Sequence, residues 1–145
     1  MIKEFRGPYR FLSNFILCDI WLDSIKYPSV EHAYQAAKTL NKTQRHFIRT
    51  ANSAGEAKRR GQKATLRIDW EDIKISVMED LVKQKFTHPE LKKQLLATGD
   101  KFLQEGNNWH DTFWGIDLKR NTGFNHLGRI LMKVRGQIRN ELGNS

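Results

Sequence analysis

The chain predicts a helix-rich α+β domain with a small β-sheet, and three observations carry that prediction. From Ser29 onward most of the sequence falls into segments with apolar residues at helical spacing, opened by Ser, Thr, Asp or Asn. Ahead of them, residues 16–22 and 25–27 are two short apolar runs separated by Asp23-Ser24, the pattern of a hairpin. Finally, 145 residues with 39% hydrophobic content, eight Phe and four Trp are enough to bury a core. One domain over residues 1–145 is expected, without repeats, linkers or low-complexity tracts.

In order, residues 2–5 read as a short strand ended by Gly7-Pro8, and Phe11-Leu12-Ser13-Asn14-Phe15 clasps two polar residues between apolar ones. After the hairpin, Ser29 caps a helix through Lys38. Thr43 is expected to cap a helix reaching about residue 51. Ser53-Ala54-Gly55-Glu56 is a capping box for a helix stopping near Gly61. Asp69 caps a longer helix over residues 70–86, with Ile73, Val77, Leu81 and Val82 at helical spacing. Thr87-His88-Pro89-Glu90 reads as another capping box, and that helix ends at Gly99. Residues 102–105 return as a strand, 107–115 form a polar, aromatic loop, and 119–123 a flexible connection. Asn125 opens the last helix, with Leu127, Ile130, Leu131, Val134 and Ile138 as its buried face and Gly143 at its end.

The formal charge of +9 implies a field that attracts phosphorylated metabolites, nucleotides or nucleic acid. The densest run, Lys58-Arg59-Arg60 to Lys63, has no aromatic residue for base stacking and reads as a solvated helix end. No stretch approaches eighteen apolar residues, and the N-terminal MIKEFRGPYR lacks an apolar signal core, so neither a membrane span nor secretion is expected. A single cysteine, Cys18, excludes an internal disulfide, reads as a small core residue and suits a cytoplasmic, reducing compartment.

Chemistry concentrates in two stretches. Along the helix after Ser29, spacings of four and seven place Glu31, Gln35 and Lys38 on one stripe, beside an apolar face of Val30, Ala33, Tyr34 and Ala37. A carboxylate, an amide and an amine at the edge of an apolar surface suit a site that moves pKa values; the same residues also fit a solvated helix face. In the late loop, Trp109, Phe113 and Trp114 can wall a pocket with Asp111 between them and Gly115 admitting a ligand to the backbone. Equally, the Trp residues can plug the core while Asp111 caps a turn.

Metal and nucleotide fingerprints are lacking. The five histidines show no H-x-x-x-H spacing, no P-loop or G-x-G-x-x-G occurs, and Ser13 lacks a nucleophile-elbow context. An amine with two carboxylates beside aromatic walls suits cleavage of a glycosyl C–N bond. A carboxylate stabilises positive charge at the anomeric carbon, and an acid protonates the departing nitrogen. A desolvated lysine offers a Schiff-base route.

These stretches resemble the YbiA/NADAR family. The resemblance runs through Phe11-Leu12-Ser13-Asn14-Phe15, Glu31-His32-Ala33-Tyr34-Gln35 with Lys38, Trp109-His110-Asp111 with Phe113-Trp114-Gly115, and Gly123-Phe124-Asn125-His126-Leu127-Gly128 with Leu131-Met132 and Arg135. Gly61, Trp70, Met78, Lys85-Phe86 and Thr98-Gly99-Asp100 extend it in order along nearly the whole chain. It implies an N-glycosidase fold and activity, and the sequence gives no sign of an organic cofactor or metal. One branch is associated with hydrolysing ribosylamine 5′-phosphates of early riboflavin synthesis, and other members with removing ADP-ribose from guanine in nucleic acid. A non-catalytic ADP-ribose or NAD-binding module is the third reading. By motif, the resemblance assigns Glu31, Lys38 and Asp111 to catalysis, with Trp114 stacking on base or sugar. It assigns Ser13, Asn14, Tyr34, Gln35, Trp109, Gly115 and Asn125 to the ligand. Arg6 and Arg135 are phosphate candidates, although Arg135 also reads as a solvated helix residue. The implied partner is a phosphorylated ribosylamine or ADP-ribose-type molecule, or modified DNA or RNA.

Overall fold

The computed structural model describes residues 1–144. Its α+β architecture is helix-rich, with two small sheets rather than one. Two compact units divide the chain: Asn14–Lys85, and Met1–Ser13 with residues 86–144.

In the Asn14–Lys85 unit, β1 (Leu17–Leu22) pairs antiparallel with β2 (Ile25–Ser29). Asp23 and Ser24 both take left-handed φ, at 48° and 68°, the backbone a two-residue hairpin turn requires. Ile20 and Tyr27 are paired and buried, which fixes the register by burying one face. The free edge of β1 is closed by a side chain: the Gln84 amide accepts from Trp21 N–H at 2.8 Å and donates to Trp21 O at 2.7 Å.

β2 runs directly into α1 (Val30–Ala37). Ser29 Oγ accepts from His32 N–H at 3.1 Å, so the predicted cap is present. His32 Nε2 lies 3.1 Å from Ala51 O, and its Nδ1 2.7 Å from Ser29 Oγ. A carbonyl only accepts, so Nε2 carries the proton and Nδ1 receives the serine hydroxyl. Burial lowers the His32 pKa, which keeps this neutral form.

Around α1 lie α2 (Lys42–Arg49), α3 (Ala54–Gly61) and α4 (Trp70–Lys85). Ser53 caps α3 as expected, although Glu56 turns to Arg59 and Arg60 instead of closing the box. Two other caps differ from expectation. Asn41, not Thr43, caps α2, its Oδ1 accepting from Gln44 N–H at 2.9 Å. Asp69 gives its carboxylate to Arg67 at 2.7 Å and supports α4 through its backbone oxygen.

In the other unit, residues 2–5 do not form a strand and make one parallel bridge, Ile2 to Leu103. Gly7–Leu12 winds instead into a 3₁₀ helix with Pro8 in its first turn. α5 (Pro89–Ala97) has His88 rather than Thr87 at its N-cap, because Pro89 takes the first helical position. The expected strand at 102–105 reduces to the Leu103 bridge. β3 (Gly106–Asn107) instead pairs parallel with β4 (Ile116–Asp117). α6 (His126–Gly143) buries Leu127, Ile130, Leu131, Val134 and Ile138 as expected.

Lys85, at the end of α4, is 1% exposed, and burial pushes its pKa down to about 7 against the opposing effect of Cys18. Cys18 itself is half-buried, with its thiol pushed up by burial. The unfolded chain holds the lysine proton up to the ordinary value of 10.5, whereas the folded chain releases it near 7. Stability should therefore rise with pH across that window, with the full penalty below it. Urea titrations of wild type and Lys85→Met at several pH values should show the steeper rise in wild type; equal slopes would contradict this.

Candidate active site

The residues the sequence points to divide between the two units. Asn14, Glu31, Tyr34, Gln35 and Lys38 lie in the Asn14–Lys85 unit. Arg6, Ser13, Trp109, Asp111, Trp114, Gly115, Asn125 and Arg135 lie in the other.

Every residue of α1 is buried, so Glu31 and Gln35 do not belong to a solvated face; they are 7% and 4% exposed. Gln35 Nε2 donates to Glu31 Oε1 at 2.8 Å, one turn away. The Glu31 N–H, a donor the helix start cannot satisfy internally, goes to Asn14 O at 3.1 Å. Asn14 also places Nδ2 3.4 Å from Met78 Sδ. Two buried acceptors, Asn14 Oδ1 and Gln35 Oε1, have no hydrogen-bond donor among the described residues. Such atoms cost stability wherever nothing pairs with them, and a bound polar molecule removes the cost.

Lys38 sits at the C-cap of α1, half-buried, with Nζ 5.8 Å from the Tyr34 ring centroid. Tyr34 in turn packs on Trp70 at 5.2 Å. Desolvation lowers the Lys38 pKa; Glu31 opposes the shift, while Lys58 and Lys74 add to it. The pair is thus a buried carboxylate and an amine that loses its proton more readily than a surface lysine.

The late loop is organised by Asn107, which is fully buried. Its Oδ1 accepts from Asp111 N–H at 3.0 Å, and its Nδ2 donates to Asp111 O at 2.9 Å and Glu105 Oε2 at 3.1 Å. Asp111 Oδ1 accepts from Phe113 and Trp114 N–H at 3.0 and 2.9 Å, so the turn-capping reading holds for that oxygen. No hydrogen bond among the described residues uses Oδ2. Trp109 is half-exposed, not inserted in the core. Trp114 packs edge-on against Phe113 at 4.8 Å, and Phe113 against His126 at 4.6 Å.

Gly115 leaves room within the loop. A Cβ there would fall 1.8 Å from Glu105 Oε2 and 2.1 Å from Glu105 O, so the missing side chain admits Glu105. Asn125 is likewise a staple: Oδ1 accepts from Glu105 N–H at 2.9 Å and Nδ2 donates to Leu103 O at 3.0 Å. It takes a left-handed φ of 54°, and the first-turn N–H groups of Asn125, His126 and Leu127 go to the carbonyls of Gly115, Phe113 and Trp114. The loop itself caps α6. Its far end is pinned by buried Asp117, which accepts from Lys119 N–H at 3.0 Å and lies 2.9 Å from His110 Nδ1; the His110 bond holds its pKa low.

Arg135 is not a solvated helix residue: it is 5% exposed, donates to Thr98 Oγ1 at 2.8 Å, and burial lowers its pKa. Arg6 stands exposed beside Glu4 at 3.4 Å. Ser13 ends the 3₁₀ helix, donating its N–H to Arg10 O at 2.9 Å.

Comparison with known proteins decides the family. The NADAR domain model matches residues 2–139. The chain belongs to the NADAR domain family. Among relatives of the chain, the N-glycosidase Npun_R5314 of Nostoc punctiforme is 39% identical over 141 residues, covering 93% of this chain and 89% of that protein. The riboflavin biosynthesis protein VVA0006 of Vibrio vulnificus is 41% identical over 131 residues, which cover 88% of this chain but 35% of that protein. The NMR structure of Escherichia coli YbiA superposes with a TM-score of 0.86 at 35% identity, covering all of this chain and 89% of that one. As a NADAR member related throughout its length to N-glycosidases, the chain is an N-glycosyl hydrolase. Among the described residues no group of His, Cys, Asp or Glu is arranged to hold a metal ion, and no helix is long and apolar enough to cross a membrane.

The sequence assigns no site role to Gly61, Asn107, Glu105 or Asp117. A Cβ on Gly61 would fall 2.0 Å from Gln35 Oε1 and 2.8 Å from Gln35 Cβ, so this glycine admits the amide that holds Glu31. Gly61→Ala should destabilise the protein by about 1–3 kcal/mol, the usual cost of overpacking. Adding Gln35→Ala should recover part of that loss in urea unfolding; no recovery would show that the clash lies elsewhere.

Proposed function

We propose that this NADAR protein hydrolyses the bond between a ribose anomeric carbon and an amino nitrogen, with a ribosylamino-pyrimidine 5′-phosphate as substrate. The observation that carries the proposal is Lys38, an amine of lowered pKa at the end of the helix that also buries Glu31. The Vibrio vulnificus relative, named for riboflavin biosynthesis, supports this choice of substrate.

In the proposed mechanism the ribosylamine opens to its imine, and the neutral Lys38 amine adds to C1. Glu31 takes the protons released by the Lys38 nitrogen and passes them to the pyrimidine nitrogen, which leaves as an amine, and Lys38 is left as an imine of the sugar. Water then adds at C1, the Lys38 amine departs, and ribose 5-phosphate is released. Gln35 keeps Glu31 oriented. Asn14 offers its unpaired Oδ1, while Tyr34 supports Lys38. A second reading is favoured by the +9 charge: the same C1 chemistry acting on ADP-ribose attached to guanine in nucleic acid.

Release of ribose 5-phosphate by wild type and by Lys38→Ala tests the proposal. The variant should lose roughly 10²–10⁴-fold in rate. Equal rates would discard Lys38, and no release by wild type would favour the guanine-linked substrate.

The pH profile adds a signed expectation. The amine acts unprotonated, so the rate should climb with pH through the Lys38 pKa and level off below the ordinary lysine value of 10.5. Removing the Glu31 charge removes the influence that raises this pKa. In Glu31→Gln the acid limb of the residual activity should therefore move to lower pH; a move upward would contradict the coupling.

A further inference from the structure

Within the unit that does not contain Lys38, the 3₁₀ helix and α5 border a cavity of about 210 Å³. Tyr9 lines it from the 3₁₀ helix, Gln94 from α5, and Thr98 and Lys101 from the turn after α5; none of its lining residues is acidic. The Lys101 amine stands 6.0 Å from the centroid of the Tyr9 ring. No carboxylate among the described residues forms an ion pair with it. Asp100, its neighbour in the chain, is turned to Arg139 at 2.8 Å.

Behind Thr98 stands Arg135, on α6. Its Nη1 donates to Thr98 Oγ1 at 2.8 Å, while the Thr98 hydroxyl gives its own proton to Leu95 O at 2.6 Å. A guanidinium carries five N–H donors. Thr98 is nevertheless the one hydrogen-bond partner of Arg135 among the described residues, and no carboxylate among them pairs with it. A cation 5% exposed with a single neutral partner is costly to keep. Burial and the charge of Arg139 work against its ionised form; Asp100 favours it, but Asp100 is 96% exposed and held by Arg139. An anion in the adjoining cavity supplies the missing counter-charge, to Lys101 at the wall and to Arg135 through Thr98.

We propose that the cavity between the 3₁₀ helix and α5 binds a small phosphate monoester, its phosphate against Lys101 and the Thr98–Arg135 pair and its organic part on the Tyr9 ring. Two cations match a phosphate monoester, which carries close to two negative charges at neutral pH, better than a carboxylate with one. Sites for drug-sized ligands span roughly 300–1,000 Å³, so a ligand for this smaller cavity has an organic part of about one ring. Every residue invoked lies in the unit without Lys38, so the inference stands apart from the reaction proposed above.

The test is calorimetric binding of phenyl phosphate, inorganic phosphate and benzoate to the full chain. Lys101→Gln should weaken both phosphates about tenfold, the scale of one charge-assisted hydrogen bond, and Lys101→Arg should restore most of the loss. Tyr9→Leu should weaken phenyl phosphate about three- to tenfold and inorganic phosphate little. Lys93→Gln, which removes an exposed charge from α5 outside the cavity, and Lys38→Ala should both bind phenyl phosphate as wild type does. No binding by wild type, or equal losses in Lys101→Gln and Lys93→Gln, would overturn the proposal. So would benzoate binding as tightly as phenyl phosphate, which would make the site one for carboxylates. A loss in Lys38→Ala as large as that in Lys101→Gln would assign the binding to the Lys38 site instead and refute a separate cavity.

Discussion

The constraint on which the Asn14–Lys85 unit depends is the desolvation of Glu31. A carboxylate held 7% exposed loses most of its water and needs donors in exchange. Gln35 supplies one, and Gly61 leaves the room for Gln35 to do so. The helix carrying Glu31 is fixed at its start by Ser29 and by Asn14 O, and it is enclosed by the hairpin and three further helices. The same enclosure strips water from Lys38 and favours its neutral form. Both effects have one source: an ordinary surface helix would leave the carboxylate hydrated and the amine with its ordinary pKa.

The other unit solves a different problem, that of keeping a long polar loop in one shape. Asn107 and Asn125 spend their side chains on backbone groups, Asn107 also donating to the Glu105 carboxylate, and Asp117 closes the far end. Asp111 Oδ1 holds the turn by accepting from two backbone amides. A carboxylate fixed by two amides is oriented before anything binds, which lowers the entropy lost on binding.

Features written in local hydrogen bonds were legible in the sequence. The Asp23-Ser24 turn, the Ser29 and Ser53 caps, and the apolar face of α6 all follow from spacings of a few residues. Features decided by distant partners were not. The room that Gly115 leaves for Glu105 is one, and the strand expected at 102–105 shrank to a single bridge because its partner, Ile2, lies about a hundred residues away in sequence. Proline placement moved the α5 cap from Thr87 to His88. The stripe on α1 was visible, but its burial was not: Ala-rich composition does not tell a helix covered on one side from one covered on all. Arg135 looked equally like a surface residue for the same reason.

The claim that joins these observations is that Lys38 acts as an amine toward the sugar. Borohydride reduction during turnover of the ribosylamino-pyrimidine 5′-phosphate, followed by peptide mass mapping, tests it most directly. A reduced sugar-phosphate adduct on the peptide containing Lys38 is the predicted result. Steady release of ribose 5-phosphate with Lys38 left unmodified would contradict it.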